Sequence, residues 1–196
     1  MKNVFTVAHR VSEEDRTRAN RHRGGILWFT GLSGAGKSTL AIELERALFA
    51  ERYQVYTLDG DNVRQGLSSD LGFSPDDRAE NIRRIGEVAA LFAEAGFVVI
   101  TAFISPYRAD RERIRARHPK YFSEIFINAP LAVCEARDSK GLYRRARSGE
   151  LKEFTGVSAP YEPPLAPEVE LRTAERPVQA CVDELVAFVE RRLALK

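Results

Sequence analysis

One stretch constrains this chain more than any other: Gly31-Leu32-Ser33-Gly34-Ala35-Gly36-Lys37-Ser38, which fits G-x-x-x-x-G-K-[ST] at every required place. Its flanks matter as much as its letters. Ile26-Leu27-Trp28-Phe29 before it is a continuous apolar run, as expected of a strand buried on both faces of a parallel sheet. After it, Lys37 to about Arg52 places Leu40, Ala41, Leu44, Ala47 and Leu48 on one face of a helix. A glycine-rich turn between strand and helix lets consecutive backbone N–H groups point inward at the helix N-terminus, where the dipole favours anions. Lys37 then supplies a point charge to β/γ-phosphates, and the Ser38 hydroxyl is placed to ligate Mg²⁺, with Thr39 next in line. The expectation is a nucleoside triphosphate site.

The rest of the chain repeats the strand-then-helix rhythm. Short apolar runs at Val55–Leu58, Phe97–Ile104, Ser123–Asn128 and near Val169–Leu171 read as strands. Helical spacing follows at Ile82, Ile85, Ala89, Phe92 and Ala93 with a stop at Gly96, at Arg111–Arg117, and from Leu131 to about Arg137. A last helix carries Val178, Cys181, Leu185, Phe188, Val189 and Leu193 on one side. The Pro-rich stretch Ala159–Pro167 cannot be regular helix. Alternation of this kind predicts an α/β domain with a mainly parallel sheet and right-handed crossovers. At 196 residues the chain suits one domain, 24–196, preceded by a charged arm over 1–23 that reads as an extension or short helix.

Charge and composition exclude several classes. Thirty Lys+Arg against 28 Asp+Glu give net +2, and no long basic stripe appears, so no nucleic-acid partner is expected. The longest apolar run, Phe97–Ile104, is far short of the roughly 20 residues that cross a bilayer. The opening MKNVFTVAHRVSEEDR turns charged at once, so no secretory signal and no membrane partner are expected. Cys134 and Cys181 are too few for a disulfide framework and match no metal spacing; both read as small buried apolar residues of a cytoplasmic protein.

What receives the phosphoryl group is decided by the acids, and ligands bind at the carboxyl edge of a parallel sheet. Only the strand Val55–Leu58 delivers carboxylates there, Asp59 and Asp61. Two such groups can divide the work, one near Mg²⁺ and one near the accepting hydroxyl as base. Spacing alone does not assign the roles; Asp59 is taken first as base, leaving Asp61 with Ser38 for the metal. No guanine-reading N-K-x-D occurs, and the short chain favours a small-molecule kinase over a motor ATPase.

Taken together, Leu27–Ala41, Leu58–Leu67 (LDGDNVRQGL), Asp70–Phe73 (DLGF), Asp77–Gly86 (DRAENIRRIG), Thr101–Arg108 (TAFISPYR), Cys134–Tyr143 (CEARDSKGLY) and Phe154–Gly156 (FTG) resemble the adenylyl-sulfate kinases. The resemblance implies a three-layer P-loop kinase fold with a mobile lid over about 138–156. It implies MgATP as phosphoryl donor and the 3′-hydroxyl of adenosine 5′-phosphosulfate (APS) as acceptor, giving ADP and 3′-phosphoadenosine 5′-phosphosulfate. It further implies a homodimer and a functional link to ATP sulfurylase. Arg64, Arg78 and Asn81 resemble the family's clamp on phosphosulfate and ribose, a task suited to guanidinium forks. Phe73 and Phe154 resemble the rings that sandwich the acceptor adenine, with Ile104, Ser105, Lys140, Thr155 and Gly156 in the same pocket. Arg137 would face the ATP adenine. Ser105 matches the position of a phosphoserine intermediate, yet in-line transfer needs no covalent stop, and Ser105 before Pro106 is expected to be extended and to donate to substrate. Ala35 and Ser139 depart from the family's frequent Ser and Pro without removing a reacting group.

Two alternatives stay open on the residues alone. One is a P-loop kinase for another nucleotide or a sugar; the other is an ATP-holding module without turnover, against which Lys37, Ser38, Asp59 and Asp61 all stand intact.

Overall fold

A computed structural model describes residues 5, 7 and 9–195. Strand β1 (Gly25–Thr30) is buried along its whole length. Side chains alternate across a strand, so Leu27 and Phe29 face one helical layer and Ile26 and Trp28 the other. The first layer is α2 (Lys37–Ala50) with α8 (Val178–Leu193), packed through Leu40, Leu44, Leu48, Leu185 and Val189. The second is α4 (Pro75–Glu94) with α5 (Arg108–Arg117), packed through Ile82, Ile85, Ala89 and Ile114. Each large apolar side chain among these, fully buried, contributes about 1.5–3 kcal/mol.

Between the layers lies a five-stranded sheet in the order β2 (Val55–Asp59), β3 (Val98–Ala102), β1, β4 (Phe122–Asn128), β5 (Val169–Arg172). Every pairing is parallel, with Leu27 of β1 opposite Ile100 of β3 and Ser123 of β4. Parallelism brings every strand exit to one edge: Gly31, Gly60, Phe103, Ala129 and Thr173 all leave the sheet there. Short helices α3 (Gly60–Arg64), α6 (Leu131–Arg137) and α7 (Leu142–Arg147) crowd the same edge.

The structure corrects several local expectations. The strand expected over 97–104 ends at Ala102, and residues 103–107 form an irregular loop. Ser105 is not extended: its φ is +40°, because hydrogen bonds from other elements override the preference of a residue before proline. Helix α4, whose apolar spacing left its start open, begins at Pro75, since Ser74 accepts the Asp77 N–H and Pro75 fills the first turn. In α8, Val182 and not Val178 joins the core. Within the arm, helix α1 (Glu13–Asn20) forms behind a reciprocal Ser12–Asp15 cap and buries none of its residues; residues 1–4, 6 and 8 lie outside the described part. Gly96 ends α4 as expected, at φ +98°. Among the described residues, no helix is long and apolar enough to cross a membrane.

Candidate active site

The strand exits surround a cleft of about 1080 Å³. On its donor side the loop from Gly31 to Ser38 turns from β1 into α2. Gly31, Gly34 and Gly36 have φ of +154°, +75° and +102°. A Cβ on Gly31 would stand 2.3 Å from the Ile127 carbonyl oxygen and one on Gly34 2.9 Å from that of Cys134, so neither position admits a side chain. Ser33, Gly34, Gly36, Lys37, Ser38 and Thr39 line the cleft, whereas Gly31, Leu32 and the fully buried Ala35 support the loop from behind. Lys37 Nζ donates to the carbonyls of Gly31 (3.0 Å) and Leu32 (2.7 Å). Burial brings its pKa down to about 8, with Asp59 opposing the shift and Lys140 adding to it.

The two acids part company. Asp59 caps α3, one carboxylate oxygen accepting the Asp61 N–H at 3.1 Å and the other the Ser38 hydroxyl at 2.7 Å. Asp61 instead reaches Lys140 Nζ at 2.5 Å. Ser38 thus pairs with Asp59 rather than with Asp61, because the cap turns Asp59 toward α2 and leaves Asp61 further round α3.

Across the cleft, Arg64 lies over the Phe73 ring (4.3 Å) and donates to the Gly72 carbonyl at 2.9 Å. Burial holds the Arg64 pKa below its ordinary value, and the neighbouring Arg78 charge adds to this. Arg78 donates to the carbonyls of Phe73 (2.8 Å) and Glu153 (2.6 Å) and to the Thr155 hydroxyl (3.0 Å). Asn81 is buried, and its Oδ1 has no partner among the described residues although the residue lines the cleft. Phe73 stands 64% exposed at the mouth, while Phe154 is held edge-on by Tyr143 at 5.1 Å. Both rings line the cleft, as do Ile104, Ser105, Lys140 and Thr155. Gly156 does not; at φ +89° it packs under Leu32 and Leu131. The Ser105 hydroxyl accepts the Trp28 indole N–H at 3.1 Å, which leaves its own hydrogen free to donate into the cleft.

Arg137 donates to the carbonyls of Gly34 and Thr173 and so borders the loop. Beside it, Thr173, Arg176, Val178 and Cys181 complete the donor side. Sequence reasoning passed these over, though Thr173 follows β5 and the strand-edge rule that found Asp59 applies there too. Tyr143 was missed as well: its hydroxyl donates to the Ser33 carbonyl at 2.9 Å, tying segment 138–156 to the phosphate loop. Burial raises its pKa above the ordinary tyrosine range. Cys134 and Cys181 are both free and buried.

Mg²⁺ prefers one or two protein oxygens and completes its shell with phosphates and water. The Ser38 hydroxyl and Asp59 carboxylate fit that demand, and among the described residues no cluster of His, Cys, Asp or Glu offers an all-protein cage.

A phosphate loop at the exit of β1, acids at the exit of β2 and an arginine-lined acceptor face define a P-loop kinase acting on a small molecule. Comparison with known proteins agrees and narrows it. The profile of the family described as adenylylsulphate kinase matches residues 23–172. An adenylyl-sulfate kinase from Geotalea daltonii is 58% identical over 93% of this chain and 90% of its own length. One from Marinobacter nauticus is 51% identical over 100% and 99%. The APS kinase of Mycobacterium tuberculosis, solved in complex with AMPPNP and APS, superposes with a TM-score of 0.83 at 45% identity, covering 86% of this chain and 98% of that one. The chain belongs to the adenylylsulphate kinase family and is an ATP-dependent kinase. A gluconokinase from Sinorhizobium meliloti, 22% identical, shares the fold alone.

Proposed function

We propose that the chain transfers the γ-phosphoryl group of ATP to the 3′-hydroxyl of APS across this cleft, with the two nucleotides held on opposite sides. The observation that carries the reading is the split of the acids: Asp59 on Ser38, Asp61 on Lys140. Asp59 with Ser38 would hold Mg²⁺, which neutralises charge on the β- and γ-phosphates when bound. Asp61 is then the group left to accept the proton of the acceptor hydroxyl, and Lys140 holds that carboxylate in place. This reverses the roles first taken from spacing. Lys37 leaves its two carbonyls for the phosphates, and the loop amides fix the donor so that attack is in line. Arg64, Arg78 and Asn81 support a phosphosulfate and ribose clamp; the orphaned Asn81 Oδ1 in a buried wall is the feature a bound sugar hydroxyl would satisfy. Segment 138–156 acts as a lid that excludes water, a competing acceptor.

The APS complex of the Mycobacterium tuberculosis relative supports the acceptor, and the hexameric APS kinase of Thiobacillus denitrificans supports self-association. We take the assembly to be a homodimer working in the cytoplasm, where an ATP sulfurylase supplies APS; the two free, buried cysteines suit a reducing compartment. The test is ADP release with Mg²⁺, ATP and, in turn, APS, AMP, shikimate or gluconate. Release specific to APS upholds the reading, and equal release with gluconate ends it.

A further inference from the structure

Residues 103–106 line the acceptor side of the cleft, yet their backbone is irregular and Ser105 sits at φ +40°, where a non-glycine residue is strained. Something must hold them. Arg111, on α5, is 2% exposed and uses its planar fork in three directions. Its Nε donates to Glu124 at 2.5 Å, one terminal nitrogen to the Ser105 carbonyl at 2.6 Å, and the other to the Glu162 carbonyl at 2.7 Å. Glu124 lies inside β4, is 3% exposed, and is also approached by Arg115 at 3.4 Å.

The segment carrying Glu162 follows directly on the proposed lid and closes the loop from outside. Glu162 N–H donates to the Pro106 carbonyl at 2.9 Å, and Arg108 N–H donates to the Glu162 carboxylate at 2.8 Å. Thr30, at the end of β1, donates to the Ile104 carbonyl at 2.7 Å. Its single hydrogen is thereby used, so the Tyr161 hydroxyl, 3.0 Å away, donates to Thr30. A buried arginine–carboxylate pair is a poor stabiliser compared with apolar residues of the same volume. Its geometry here serves something else: two carbonyls, on two separate loops, are held by one charged group.

We infer that Arg111 is a positioning residue for the acceptor: it fixes the Ile104-Ser105-Pro106 wall against the sulfated nucleotide and joins that wall to the strap that follows the lid. The inference rests on the proposed reading of this side as the APS site. Trp28, the chain's single tryptophan, bonds Ser105 and so reports the wall independently of turnover.

Two variants separate positioning from stability. Arg111→Lys keeps a charge for Glu124 and loses the fork; Arg111→Met with Glu124→Leu removes the buried charges together. In both, the melting temperature should stay within about 5 °C of the parent. At saturating ATP, kcat/KM for APS should fall about tenfold while the KM for ATP stays within about twofold, as expected for a displaced substrate wall. Trp28 emission should shift to the red in both. Unchanged kinetics, equal loss for both nucleotides, unchanged emission, or failure of both variants to fold overturns the inference. Arg64→Ala is measured alongside: if it weakens ATP and not APS, the assignment of the acceptor side fails, while the Trp28 shift still decides whether Arg111 holds the wall.

Discussion

Asp59 and Asp61 lie two residues apart in sequence, and the fold gives them different partners, Ser38 and Lys140, from which the proposed roles follow. Asp61→Asn should lower kcat by about 10²–10⁴-fold with little change in the KM for ATP, as for loss of a general base. Asp59→Asn should instead raise the Mg²⁺ concentration needed for half-maximal rate, and steady-state titrations of metal and nucleotide separate the two. Ser105→Ala should keep most of its turnover, since in-line transfer needs no covalent stop, while leaving the Trp28 indole N–H unsatisfied at a cost of about 1–3 kcal/mol in denaturant melts. A folded Ser105→Ala protein that binds both nucleotides without turnover would revive the phosphoserine route. Lys37 gives a pH signature. Its pKa of about 8 means the ligand-free protein loses this charge as pH rises past 8, whereas bound phosphates demand the charged form. ATP affinity should therefore fall about tenfold between pH 7 and 9, because uptake of one proton adds a factor of ten per unit above the pKa. The Lys37→Arg variant should flatten that slope in calorimetric titrations, since a guanidinium stays charged throughout.

At the scale of elements, segment 138–156 is attached at both ends by contacts that neither end carries alone. Tyr143 anchors its start to the phosphate loop, and Arg78 pins its end to α4. Gly156 is the joint: it sits at φ +89°, and a Cβ there would come within 3.0 Å of Leu32 and 3.3 Å of Leu131. Gly156→Ala should cost about 1–2 kcal/mol from the left-handed backbone alone, read from urea midpoints. It should also lower kcat and raise the rate of ATP hydrolysis without acceptor, since a misplaced lid admits water. Unaltered hydrolysis in this variant would remove the lid from the mechanism.

For the molecule as a whole, one buried histidine closes the seam where arm, sheet and chain end meet. His22 is 3% exposed; its Nε2 lies 2.9 Å from the Gln54 N–H, which can only donate, so Nε2 is the acceptor and Nδ1 carries the hydrogen toward the Arg23 carbonyl. Its backbone also bridges to Ala194. Burial lowers its pKa below the ordinary 6.5, partly offset by that carbonyl. A depressed histidine contributes stability that is present above about pH 6.5, the unfolded value, and is lost as pH falls through the folded one. The melting temperature should drop below pH 6.5, and His22→Asn should lose that acid dependence; an unchanged dependence in the variant would assign it to other groups.

The phosphate loop, the parallel α/β order and both acids were legible in the sequence because each rests on neighbours in the chain: a glycine's freedom, a helix terminus, an apolar run of strand length. The different partners of Asp59 and Asp61 were not, since they depend on a helix cap that turns one carboxylate toward another strand's exit. Nor was the left-handed Ser105, whose carbonyl is held by Arg111 and whose hydroxyl is held by Trp28, against the preference set by the proline that follows it. Arg111 itself reads as one more charge on a charged helix until β4 passes behind it and supplies Glu124. Local sequence determined what could bind phosphate and on which edge; only the packing of distant strands decided which groups stand on each side of the cleft, because a buried charge takes its role from the partners that surround it.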